Sequence, residues 1–139
     1  MVDPPRRSAI HVLLVEDNPA DARLLIEISK PYPSPLEFHH VTTGDEAIAY
    51  LRRLETDADP RWPDVVLLDL NLPGRDGRYV LSTIRSDRSL NRLPVIIVTA
   101  SPLDSDVLHA FDLKADAYLR KPVDLPHLVA AFERIEVGP

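Results

Sequence analysis

The sequence contains no cysteine. A disulfide scaffold, a thiolate metal site and a cysteine nucleophile are excluded together. Glycine is scarce, at 4 of 139 residues, and neither G-x-G-x-x-G nor G-x-x-x-x-G-K-[ST] occurs. The glycine loops of Rossmann domains and P-loop nucleotide hydrolases are therefore missing. No apolar run nears the roughly 20 residues of a membrane helix; the longest, such as 65–68 and 95–98, are strand-sized. Arg6 and Arg7 are followed by no signal-peptide-like apolar stretch. A cytoplasmic location is the default expectation. Positive charge is also in deficit, with 16 basic against 22 acidic residues and a net charge of −6. Such a domain lacks the field that holds a phosphate backbone, so neither nucleic acid nor membrane is an expected partner.

What is present suffices for one core. Apolar residues make up 45% of the chain, well above a disordered composition. The 14 prolines, roughly double the usual share, fall where the pattern breaks. An apolar run at 10–15 reads as a strand. Asp17-Asn18-Pro19 then supplies helix-start chemistry, an Asx cap before a first-turn proline. Ala22, Leu25, Ile26 and Ser29 recur at helical spacing, and Pro31 ends that helix. Strands are expected at 36–41, 65–68, 94–98 and 117–119. Helices are expected at 44–54, 78–85, 103–113 and through Leu125, Leu128, Val129 and Phe132. The order is five βα units. Strands apolar throughout are buried on both faces, as in a parallel sheet covered by helices. The expected fold is α/β, a doubly wound five-stranded parallel sheet, whose ligands bind at the carboxyl ends of the strands.

Polar residues gather at those ends: Glu16 and Asp17 after the first strand, Asp69 after the third, Thr99 after the fourth and Lys121 after the fifth. Three carboxylates brought together repel unless a cation joins them. An all-oxygen set suits a hard divalent ion, typically Mg²⁺. Lys121 and Thr99 supply a point charge and a hydroxyl donor for a phosphoryl group. One of the carboxylates can then act as nucleophile and form an acyl phosphate. Each feature alone has a plain structural explanation as a cap or solvated turn; the joint placement at four strand ends is what points to chemistry.

The blocks VLLVEDNPAD, VVLLDLNLPGRDG, PVIIVTAS and AYLRKP resemble the signature blocks of the receiver domain of two-component response regulators. The likeness runs from Ile10 to about Ile135. It implies a flavodoxin-like fold with strand order 2-1-3-4-5, a tail at 1–9 and a domain at 10–137 with no effector domain. It implies that Asp69 accepts a phosphoryl group from a sensor histidine kinase. Asp17 and Asp69 are implied as direct Mg²⁺ ligands, with the carbonyl of Asn71 as the third and Glu16 acting through water. Thr99 and Lys121 are implied to contact the phosphoryl group, with Thr99 and Tyr118 as the conformational switch. Asn71 and Ser101 match positions that tune water access, Ala100 leaves room for the donor, and the Lys121–Pro122 bond is expected to be cis. The protein is then a signalling phosphoacceptor and not an enzyme, with self-catalysed phosphorylation and dephosphorylation.

The blocks E-D-N-P-A-D and D-L-N-L-P-G-R-D-G-R and the proline-rich 55–63 loop most resemble small regulators paired with bacterial phytochromes. That likeness favours a homodimer on the face formed by the 103–113 helix, the fifth strand and the last helix. Lys114-Ala115 stands where the family often has Gly-Ala, which leaves the turn into the fifth strand open. The alternatives are a phosphorelay intermediate or a receiver-like interaction module that takes no phosphate. A haloacid-dehalogenase-type phosphatase would need an acid where Asn71 stands, and a flavin carrier a Ser/Thr-rich loop where the chain is acidic. Elsewhere, His39 and His40 read as surface histidines, Arg52, Arg53 and 85–92 as solvated basic stretches, and Trp62 as a loop anchor.

Overall fold

A computed structural model describes residues 9–70, 72, 77–100 and 114–135. The strands are β1 (Ile10–Val15), β2 (Leu36–Val41), β3 (Val65–Asp69), β4 (Val95–Thr99) and β5 (Ala117–Arg120). The helices are α1 (Pro19–Ser29), α2 (Gly44–Thr56), α3 (Gly77–Ser86) and α4 (Leu125–Arg134). All strand pairs are parallel, and the order across the sheet is β2-β1-β3-β4-β5, as expected from the sequence. The expected 103–113 helix lies outside the described residues, as do Asn71, residues 73–76 and Ser101.

Alternation along the strands divides the core in two. Leu13, Val15, Val66, Leu68, Val95 and Ile97 point to one face and pack with Ala47 and Leu51 of α2 and Val80, Leu81 and Ile84 of α3. Ile10, Val12, Leu14, Val65, Leu67, Ile96 and Val98 point to the other and pack with Ala22 and Leu25 of α1 and Leu128 and Phe132 of α4. β3 and β4 are buried at every residue, which is why their sequences are apolar up to the terminal Asp69 and Thr99. The edge strand β5 alternates between buried and exposed residues. Trp62 packs against the first cluster, an anchor as its setting implied.

The helix starts follow local capping chemistry. Asn18 Oδ1 accepts from the amides of Ala20 (2.9 Å) and Asp21 (3.1 Å). Thr43 and Asp124 cap α2 and α4 in the same way. Lys121–Pro122 is cis.

Arg85 corrects one reading. It is no solvated base but a clamp at the amino ends of β4 and β5. Its Nε donates to the Lys114 carbonyl (2.8 Å), Nη1 to those of Leu93 (2.7 Å) and Asn91 (3.3 Å), and Nη2 to Asp116 Oδ2 (2.9 Å). The same Asp116 oxygen accepts from the Val95 amide at 2.7 Å. The turn into β5, where Lys114 replaces a small residue, is thus fastened through its backbone. The histidines are exposed as expected, yet both are engaged. His39 stacks on Tyr50 with ring centroids 4.1 Å apart. His40 Nε2 donates to the Glu16 carbonyl at 2.7 Å.

Candidate functional site: an acidic cluster at the strand ends

The parallel register brings the site together. Val15 pairs with Leu68, so Glu16 and Asp69 leave adjacent strands at the same level. Asp69 pairs with Val98 and Thr99 with Arg120, which places Thr99 and Lys121 at the same edge. The Lys121 amide donates to the Thr99 carbonyl at 2.8 Å, fastening the lysine to the end of β4. Glu16, Asp69 and Thr99 are buried, while Asp17 is exposed.

Glu16, Asp17 and Asp69 each present a carboxylate oxygen within 4.8 Å of the others. Lys121 Nζ lies 2.6 Å from Glu16 Oε1, 3.1 Å from Asp69 Oδ2 and 3.1 Å from Asp21 Oδ2. An ammonium has three hydrogens, and here each has a carboxylate. Burial raises the Glu16 carboxyl to about 7; the neighbouring Asp69 adds to the rise, and Lys121 and the Asn18 amide oppose it. Burial works against the charge on Lys121 too, but its three carboxylates outweigh that and hold it protonated. The pocket combines a crowded anionic cluster with one fixed cation. Such a set can take a divalent ion on its oxygens and aim the ammonium at a group on Asp69.

A cleft of about 300 Å³ opens onto this cluster. Its walls include Leu14, Leu24, Asp69, Val98 and Pro122, and also Ala100, the small residue expected to leave room for a donor. Tyr118 sits on β5 with 40% of its surface exposed, its ring outside the core.

The chain matches the response regulator receiver domain family over residues 12–133. It belongs to that family. As a receiver domain it is 39% identical to response regulator Rcp1 of Synechocystis sp. over 126 residues, covering 90% of this chain and 85% of Rcp1. Bacteriophytochrome response regulator RtBRR superposes with a TM-score of 0.83 at 33% identity, covering 94% of this chain and 80% of that one. The phosphorylated cyanobacterial phytochrome response regulator RcpA gives 0.74 at 41% identity, with 93% and 92% covered. The Mn²⁺-bound form of Rcp1 gives 0.71 at 36% identity, with 91% of each chain covered. This receiver domain is therefore similar to regulators associated with phytochromes. No helix among its described residues is long and apolar enough to cross a membrane.

The structure brings Glu16, Asp17, Asp69, Thr99 and Lys121 to one edge; Asn71 lies outside the described residues. Three residues at the site escaped the sequence reading. Asp21, the third partner of Lys121, lies in the first turn of α1, where an acid reads as an ordinary helix-start residue. His40 holds the Glu16 carbonyl from the neighbouring strand, a pairing visible only with the register. Gly77, at the start of α3, packs against the backbone of Asp69 and Leu70.

Proposed function

We propose that Asp69 is the phosphoacceptor of this receiver domain and that its donor is a phosphohistidine on a sensor histidine kinase of the phytochrome-associated class. The observation that carries the reading is the position of Asp69, buried at the end of the central strand, with Lys121 Nζ 3.1 Å from its Oδ2 and two further carboxylates beside it. Similarity to Rcp1, RcpA and RtBRR supports the choice of kinase class.

The all-oxygen donor set fits a hard divalent ion, which we take to be Mg²⁺, held by Asp17 and Asp69 with Glu16 adjoining. The Mn²⁺-bound form of Rcp1 supports a divalent ion in a related chain. When bound, such an ion withdraws charge from the transferring phosphoryl oxygens. Asp69 Oδ attacks phosphorus in line, the new P–O bond forms as the P–N bond breaks, and the electron pair returns to the imidazole. Lys121 turns a donor from Asp69 toward the phosphoryl oxygens. Thr99 offers its hydroxyl from the end of β4. The step rests on positioning and electrostatics. The added charge, up to about two units, shifts the domain between two states read through Thr99 and Tyr118. Residues 10–137 form the switching unit in this reading. It works in the cytoplasm as a signalling protein, and self-association through the face carrying β5 and α4 is its first output.

Intact mass after incubation with acetyl phosphate and Mg²⁺ tests the assignment. The wild-type chain gains one phosphoryl group and Asp69→Asn gains none. Labelling of the Asn variant at the wild-type rate refutes it.

A further inference from the structure

Asp21 is a fourth carboxylate in the pocket, outside the cation-binding trio. Its Oδ2 shares Lys121 Nζ with Asp69 Oδ2, each at 3.1 Å, so the two oxygens lie no more than about 6 Å apart. The two carboxylates differ in exposure: the Asp21 side chain is 42% exposed and that of Asp69 is 6%. Asp21 lines the cleft that leads to Asp69, alongside Leu24 and Ala100.

Among the described residues, Glu16, Asp21 and Asp69 share the Lys121 ammonium, and Asp17 adjoins Glu16 and Asp69. Removing Asp21 takes one unit of negative charge from this group, whatever ion the trio holds. An incoming phosphodonor therefore meets a charge that depends on this residue. At separations near 6 Å and an effective dielectric between protein and water, one unit charge changes the approach of a second by several-fold in rate.

We propose that Asp21 sets phosphodonor selectivity by charge. It disfavours free dianionic phosphodonors, and so slows uptake from small acyl phosphates. A kinase offsets the same repulsion with the contacts of its own docking surface. The inference rests on the reading of Asp69 as acceptor. Acetyl phosphate is a dianion at neutral pH, and its P–O bond breaks as acetate leaves with the electron pair. Phosphoramidate is a monoanion, and its P–N bond breaks as ammonia leaves with the protons already on nitrogen. Both give the same phosphoryl group on Asp69.

The experiment compares phosphorylation rates with these two donors for the wild type, Asp21→Asn and Asp21→Ser, at saturating Mg²⁺ and fixed ionic strength. Asn keeps an acceptor for Lys121 and Ser shortens it; both remove the charge, and circular dichroism confirms that each folds. The ratio of acetyl phosphate to phosphoramidate rates should rise about three- to tenfold in both variants. Calorimetry without any donor should show Mg²⁺ binding weakened by about threefold, since the lost charge attracted the cation. Opposite effects on an anion and a cation are the signature of charge. Equal factors for both donors, or Mg²⁺ affinity unchanged or tightened, would make Asp21 only a tether for Lys121 and overturn the proposal. If neither donor labels Asp69 in the wild type, the reading of Asp69 fails and this inference with it.

Discussion

Gly77 lies so close to the strand end bearing Asp69 that a β-carbon at position 77 would stand 2.5 Å from the Asp69 carbonyl oxygen. It would also lie 2.5 Å from Leu70 Cα, and the Gly77 amide already donates to the Leu70 carbonyl at 2.9 Å. Both clashing atoms are backbone, so relief requires moving α3 or the segment after β3. Gly77→Ala should destabilise the domain by about 2 kcal/mol or more. It should also slow labelling of Asp69 in the molecules that remain folded. Urea unfolding and intact mass measure the two effects; a variant with wild-type stability would show that the close approach is easily relieved.

Glu16 gives the site a pH dependence. Its carboxyl titrates near 7 in the folded, metal-free chain and near 4.5 when free. The folded state therefore holds its proton more tightly. This group's contribution to stability is greatest below about pH 4.5 and declines as pH rises toward 7. A divalent ion competes with the same proton, so apparent Mg²⁺ affinity should rise with pH by up to tenfold per unit and level off above about 7. Binding should be weak, on the order of millimolar, for an ion that keeps several waters. Calorimetry from pH 5.5 to 8 reads the slope, and Glu16→Gln should flatten it.

The Arg85 clamp serves stability at the far end of the sheet. Arg85→Ala removes four hydrogen bonds and leaves the carbonyls of Lys114, Asn91 and Leu93 without this donor. The Arg85 and Asp116 side chains are 20% and 41% exposed, so the ion pair is partly screened and most of the loss comes from the carbonyl bonds. A loss of about 2 kcal/mol is expected in urea unfolding. Phosphorylation of the folded fraction should proceed normally, because the clamp and the acidic cluster occupy opposite ends of the strands.

Self-association should respond to the phosphoryl state. Tyr118 is 40% exposed on β5, and Leu125 and Val129 of α4 are only half-buried, which leaves apolar surface on that face. Sedimentation with beryllofluoride and Mg²⁺ should show a dimer favoured over the untreated chain. A monomer under both conditions at high micromolar concentration would direct the output to a different protein.

Much of this architecture is legible because the strands are buried on both faces. Val65–Asp69 and Val95–Thr99 read as continuous apolar runs ending in a polar residue, and those terminal residues belong to the candidate site. The less legible contributions come from residues whose local chemistry already has an explanation. Asp21 looks like a helix-start acid, Gly77 like the end of a turn and Arg85 like a solvated base. Their roles depend on which backbone or side chain lies opposite in space. The Arg85 bond to Asp116 spans 31 residues, and that of Asp21 to Lys121 spans 100. No local pattern encodes such a pairing.

That span of 100 residues has a consequence for a chain emerging from the ribosome. Glu16, Asp21 and Asp69 are all synthesised before Lys121, the ammonium that joins them, which arrives only with the segment after β5. Until that strand docks on β4, these acids lack Lys121, and their mutual repulsion opposes their being drawn together. Seating the final strand converts repulsion into attraction among parts of the chain made long before. Completion of the sheet and assembly of this charge cluster thus coincide in one event.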